Sequence, residues 1–179
     1  IVAGGEGRRL GGVDKPALVV GGRTLLDTAI AACAGAAEIV VVGPRRPTRR
    51  PVAWTREDPP GTGPLAAVAA GVALMPPDVD TVVVLAADLP KITPDLVRRL
   101  VDTCRSESAQ CAAVVDPAGQ VQPLVACYRF DSLVAALNSV GDPSDRSMRA
   151  LIEYVRVTPV RDDAASADID TSEDLTRFT

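Results

Sequence analysis

The stretch Ile1–Pro16, I-V-A-G-G-E-G-R-R-L-G-G-V-D-K-P, restricts what this chain can become more than any other segment. An apolar start reads as a short strand and runs directly into five glycines, two arginines, an aspartate and a lysine. Without a Cβ, glycine lets backbone N–H groups approach a ligand closely and tolerates positive φ. Arg8, Arg9 and Lys15 add positive charge to that donor-rich backbone. A cationic loop of this kind at the end of a strand fits a polyphosphate. Two familiar phosphate loops are excluded. Gly5-Glu6-Gly7-Arg8-Arg9-Leu10 has leucine where a dinucleotide fingerprint needs its third glycine, which makes a dinucleotide-dependent oxidoreductase a poor reading. Lys15 is followed by Pro16, not by the Ser or Thr with which a P-loop holds Mg²⁺.

Composition narrows the chemistry further. The chain has no histidine, which removes Ser–His and Cys–His nucleophiles and histidine metal sites together. Catalysis must then run on carboxylates, Lys, Arg, backbone donors and a hard metal ion. A net charge of −4 argues against general nucleic-acid binding. No apolar run reaches transmembrane length and no signal peptide is visible. Cys33, Cys104, Cys111 and Cys127 form no C-x-x-C pair and read as buried free thiols in a reducing cytosol. A cytoplasmic protein without nucleic-acid or membrane partners is expected. The length of 179 residues fits one domain over 1–179, and the abrupt start leaves open residues ahead of Ile1.

Apolar runs alternate with helical patterns. Strands are expected at Ile1–Ala3, Ile39–Val42 and Thr81–Ala86, and helices over Thr24–Ala34, Pro64–Leu74 and Pro94–Cys104, the last capped by Thr93. Cys111–Val115 and Val121–Tyr128 flank a hairpin turn at Asp116-Pro117-Ala118-Gly119. Asp131–Asn138 and Ser147–Tyr154 look helical, Val155–Val160 reads as a strand, and Ser172–Phe178 reads as a closing helix. Such alternation predicts an α/β fold with a mostly parallel sheet, the hairpin adding mixed character. The basic run Arg45–Pro51 reads either as a solvated loop or as a landing site for an anionic partner.

Asp88 falls just past the apolar run Thr81–Ala87, so it belongs at the carboxyl end of a strand, the edge where open α/β sheets bind ligands. Asp58-Pro59-Pro60-Gly61-Thr62-Gly63-Pro64 is a rigid turn leading into a helix, fit for a nucleotide edge or for a plain helix start. Asp168 and Asp170 alternate around Ile169, where they could share one sheet face or simply cap the last helix.

Taken together, G-G-x-x-x-R-L-G-G-x-D-K-P, with Gly4, Gly5, Arg9, Gly11, Gly12, Asp14 and Lys15, resembles the signature loop of the MobA-type nucleotidyltransferases, the molybdenum cofactor guanylyltransferases. Ala87-Asp88-Leu89-Pro90 resembles the family's C-D-x-P, Asp58–Ala66 its D-x-x-x-x-G-P-L-A-G, and Asp168–Leu175 its N-x-N-T-P-E-D-L ending, with aspartates in place of asparagines. Where the family often has asparagine after the second strand, this chain has Gly43-Pro44. The resemblance implies a single-domain, Rossmann-like three-layer sandwich of the nucleotide-diphospho-sugar transferase type. It implies Mg²⁺ as cofactor, held by Asp88, and catalytic roles for Arg9, Lys15 and Asp88. Nucleotide contacts are implied for Val2, Ala3, Gly4, Gly5, Lys15, Asp58 and Asp88, and acceptor or second-metal roles for Gln122, Asp168 and Asp170. The implied reaction moves GMP from GTP to molybdopterin carrying molybdenum, with transient contact to other cofactor-biosynthesis proteins or the recipient apo-enzyme. A MobA-like enzyme using CTP or another acceptor, and a nucleotide-binding module without turnover, are the alternatives.

Overall fold

β-branched runs build the sheet of this protein, and alanine- and leucine-rich segments build the helices against it. The computed structural model describes residues 1–5, 12–106 and 109–162. Arg9, Asp168, Asp170 and the closing helix over 172–178 lie outside the described residues.

In chain order the elements are a 3₁₀ turn (Lys15–Ala17), β1 (Val19–Val20), β2 (Arg23–Thr24), α1 (Leu25–Ala32), β3 (Val40–Val42), β4 (Ala53–Thr55), α2 (Pro64–Val72), β5 (Thr81–Leu85), α3 (Pro94–Ser106), β6 (Cys111–Val115), β7 (Val121–Arg129), α4 (Phe130–Val140), α5 (Arg149–Ile152) and β8 (Val157–Arg161). Helix starts follow local chemistry. Thr24 Oγ1 accepts from the Asp27 N–H at 3.0 Å, and Thr93 Oγ1 from the Leu96 N–H at 3.2 Å. Each satisfies a donor that the first helical turn cannot. Pro64 opens α2, where its missing N–H costs no helical hydrogen bond.

Val2 joins two sheets into one. It bridges in parallel to Val42 of β3 on one side and to Ala86 beyond β5 on the other. The Val2 N–H donates to the Leu85 carbonyl and the Ala3 N–H to the Val42 carbonyl, both at 2.8 Å. The strand order is therefore β4, β3, the Ile1–Ala3 segment, β5, β7, β6, β8. β7 alone runs antiparallel to its neighbours, so the sheet is mixed but mostly parallel. β1 and β2 form a separate small hairpin.

Alternation along the strands supplies both faces. Val83 and Leu85 pack with Leu26 and Ile30 of α1 and Leu96 and Leu100 of α3. Val82 and Val84 pack with Leu65 and Val68 of α2, Leu133 and Ala136 of α4 and Leu151 of α5. Helices on both faces of a central sheet give three layers, as expected from the strand–helix alternation. Among the described residues, no helix is long and apolar enough to cross a membrane. All four cysteines are buried free thiols. Burial pushes the Cys33 thiol up, and the Cys111 thiol up to about 12.

Candidate functional site

The carboxyl ends of β3, the Ile1–Ala3 segment, β4 and β5 open onto one cavity of about 650 Å³. That volume is in the range that holds a nucleotide-sized ligand. Its floor is Val2, Gly4, Gly5, Ala86 and Ala87, with Leu124 of β7 beside them. Lys15, Asp88, Arg56 and Glu57 bring charge to its walls.

Gly43 explains how the strand ends come so close. It has φ +142°, and a Cβ there would stand 2.8 Å from the Ala3 carbonyl carbon and 2.9 Å from the Gly4 nitrogen. Only a residue without a side chain allows this backbone approach. Gly4 and Gly5 are thereby held at the cavity floor as bare main chain. The asparagine that the family resemblance places after the second strand is replaced here by a packing glycine.

Lys15 and Asp88 meet across the cavity wall, Nζ to Oδ2 at 3.6 Å. The 3₁₀ turn brings Lys15 in; Asp88 stands three residues past the end of β5, at the close of the apolar run, as predicted. Gly63, the residue that caps the start of α2, has φ +97° and lines the cavity with Gly61 and Pro64. The positive end of a helix there favours an anion.

Glu57 is the residue that reading the sequence missed. It is 7% exposed and lines the cavity. Its Oε1 accepts from the Gly61 N–H at 2.9 Å, while Oε2 is buried with no hydrogen-bond partner among the described residues. A buried, unsatisfied carboxylate oxygen is costly unless a ligand supplies donors. Asp58, to which the resemblance assigns a nucleotide contact, is exposed and lies outside the cavity lining. The missed signal was β4. Read as a strand, Val52–Thr55 would have placed Arg56 and Glu57 at the same sheet edge as Asp88.

The other expected residues fall as follows. Val2, Gly4, Gly5, Lys15 and Asp88 all line the cavity. Ala3 is fully buried behind the floor, outside the lining. Gln122 also lies outside it, donating from Nε2 to Asp116 Oδ2 at 3.1 Å. The pairing of β6 with β7 slips between Ala113 and Val114, beside Gln122-Pro123-Leu124. Pro123 cannot donate to a ladder, and the resulting bulge presents Leu124 to the cavity. Arg9, Asp168 and Asp170 lie outside the described residues.

The basic run is an irregular loop with Arg45, Arg49 and Arg50 exposed, in line with a solvated loop, but Arg46 departs from that reading. Arg46 clasps Asp14, with Nη2 to Oδ1 at 2.7 Å and Nε to Oδ2 at 2.9 Å. The Arg49 N–H donates to Asp27 Oδ1 at 2.9 Å, and its Nη2 to the Gly22 carbonyl at 2.8 Å. Arg46 turns back onto the protein and is nearly buried, while the Arg49 side chain stays largely exposed.

Comparison with known proteins agrees with this arrangement. Residues 1–161 match the model of the MobA-like NTP transferase domain. A molybdenum cofactor guanylyltransferase of Acidiphilium cryptum is 32% identical over 97% of this chain and 92% of its own length. One from Bradyrhizobium sp. is 35% identical over 72% of this chain, but this match spans only 64% of that protein. The crystal structure of molybdopterin-guanine dinucleotide biosynthesis protein A from Archaeoglobus fulgidus superposes with a TM-score of 0.74, covering 98% of this chain and 93% of that one, at 18% identity. A polyphosphate-sized cavity at the strand ends, a glycine floor and a family match over nearly the whole chain lead to one conclusion: the chain belongs to the MobA-like NTP transferase family.

Proposed function

We propose that this protein transfers GMP from GTP to the terminal phosphate of a molybdopterin carrying molybdenum, releasing pyrophosphate. The observation that carries this reading is the Lys15–Asp88 pair on the wall of a cavity floored by Gly4 and Gly5. The names of the Acidiphilium and Bradyrhizobium relatives supply the donor and acceptor.

An acceptor phosphate oxygen attacks the α-phosphorus of the triphosphate. The bond to the bridging oxygen breaks, and its electron pair leaves with pyrophosphate. No covalent intermediate on the protein is needed. Catalysis of this type is positioning and charge neutralisation. Gly4 and Gly5 offer backbone donors to the phosphates and Lys15 a point charge. The start of α2 adds a field of the same sign. Glu57 Oε2 accepts from donors of the nucleoside, which removes its buried deficit.

Asp88 fits Mg²⁺. It is a half-buried carboxylate on the cavity wall, and a hard cation that brings waters and phosphate oxygens needs only one or two such ligands. Bound there, Mg²⁺ would neutralise charge on the triphosphate, and Lys15 would balance the Asp88 carboxylate. The reaction needs no membrane and no nucleic acid, in keeping with a cytoplasmic enzyme that contacts its fellow biosynthetic proteins transiently.

A thermal-shift panel of nucleoside triphosphates, with and without Mg²⁺, tests this reading, because a ligand bound to the native state raises its melting temperature. GTP with Mg²⁺ should give the largest shift. Pyrophosphate release should then require both GTP and molybdopterin. A larger shift with CTP or ATP would overturn the assignment of the donor.

A further inference from the structure

We propose that Arg46 is a positioning residue for Lys15: it ties together both ends of the phosphate-binding segment and so holds the lysine where a triphosphate meets it. The inference rests on the reading of the cavity as a triphosphate site.

Two main-chain carbonyls and one side-chain carboxylate converge on one guanidinium. Nη1 donates to the Ala3 carbonyl at 3.0 Å and to the Pro44 carbonyl at 2.9 Å. Nε donates to both oxygens of Asp14, at 3.0 and 2.9 Å, and Nη2 to Asp14 Oδ1 at 2.7 Å. Ala3 immediately precedes the floor residues Gly4 and Gly5, and Asp14 immediately precedes Lys15. Pro44 is itself on the cavity wall. One side chain therefore fixes the upstream end, the downstream end and the adjoining strand end of the same site.

Arginine is the residue able to do this. Its planar fork presents donors in fixed directions, so it can grip a carboxylate with two nitrogens while a third donor side reaches carbonyls; a lysine cannot. The Arg46 side chain is 11% exposed and does not line the cavity. It acts through what it holds, not by touching the ligand. Asp14 is also diverted by this contact. It sits at the start of the 3₁₀ turn but caps no N–H with its side chain, and its carboxylate faces Arg46 instead. Its role in the turn is thus to be gripped, and the residue after it is the lysine that faces Asp88.

The test measures affinity for inorganic tripolyphosphate and for GTP in Arg46→Ala and Asp14→Asn, each made with Lys15 present and with Lys15→Ala. Asp14→Asn removes the charge and one of the two acceptor oxygens of the clasp without leaving a stranded anion, and it leaves the two carbonyl contacts of Arg46 in place should Arg46→Ala fail to fold. With Lys15 present, each variant should bind tripolyphosphate about 10-fold more weakly, a coupling in the range found for residues in contact. Without Lys15 the same substitutions should change affinity less than about two-fold. An undiminished loss in the absence of Lys15, or unchanged affinity in folded variants that retain Lys15, would overturn the inference. Wild-type protein that binds tripolyphosphate with this pattern but shows no preference for GTP would sink the guanylyl assignment and leave the role of Arg46 standing. Wild-type protein that binds neither would sink both.

Discussion

Lys15 Nζ and Asp88 Oδ2 lie 3.6 Å apart on the wall of the cavity, too far for a good hydrogen bond and close enough for mutual attraction. Residues 73 positions apart in the chain are joined by a 3₁₀ turn on one side and the end of β5 on the other. The pair puts a cation and a carboxylate side by side on the wall, where the first can meet a phosphate oxygen and the second a hard metal ion.

Asp88→Asn should therefore fold normally and lose turnover. A partly exposed ion pair contributes at most about 1 kcal/mol to stability. Removing one electrostatic stabiliser of a phosphoryl-type transition state costs about 10²-fold or more in kcat. Steady-state pyrophosphate release with saturating Mg²⁺ is the measurement. Near-normal kcat would remove Asp88 from the chemistry.

Glu57→Gln should separate stability from binding. The amide oxygen can keep the Gly61 contact, and the buried charge at Oε2 disappears. The melting temperature should stay or rise, while GTP affinity falls about 10-fold, the loss expected for one charged hydrogen bond. Opposite signs on the two readouts mark a group kept for a ligand at some cost in stability. A lower melting temperature with unchanged affinity would make Glu57 a structural residue.

Most of the fold was legible because its signals are local. Thr24 and Thr93 cap the helices they were expected to start, and the β6–β7 hairpin turns within the expected Asp116–Gly119. Asp88 could be placed because an unbroken apolar run points to a buried strand and its last residue to the sheet edge. β4 was not legible. Ala53–Thr55 is three residues long, follows a proline and shows an exposed first residue, so it carries no strand period of its own. It is a strand because β3 pairs with it. Losing β4 meant losing Glu57 and Arg56. Arg46 was unreadable for a different reason: its partners, Ala3 and Asp14, are distant in sequence, and a charge run alone does not show which way its side chains turn.

Gly43→Ala should be among the most damaging single-methyl additions in the protein. The new carbon would meet the backbone of Ala3 and Gly4 below 3.0 Å, at a φ unfavourable to alanine. Backbone cannot yield as a flexible side chain does, and strain of this kind costs about 1–3 kcal/mol. For a chain of this size that lowers the melting temperature by roughly 2–12 °C. Triphosphate affinity should fall with it. A variant that melts and binds like wild type would show that the strand ends can move apart freely.

Stability should decline in alkali partly through Cys111. Burial holds its thiol up to about 12, against an ordinary value of 9.0. Between those values the unfolded chain gives up a proton that the folded chain keeps. The stabilisation is thus complete below pH 9 and is lost as pH rises toward 12. Urea midpoints of wild type and Cys111→Ala at neutral and alkaline pH check this. The variant starts less stable but should lose less on going alkaline; parallel declines would exclude the thiol as a contributor.

The close approach of Gly43 to Ala3 and Gly4 also decides where this protein can be re-engineered. A floor made of main chain is chemically the same whatever bases a library encodes there, so randomising it can only break the scaffold. The freedom to choose another nucleotide lies in the walls, at Arg56, Glu57 and Leu124, where side chains can be exchanged without moving a strand. A selection for altered donor preference that spares positions 3, 4 and 43 and varies those three would spend its diversity where the molecule can respond.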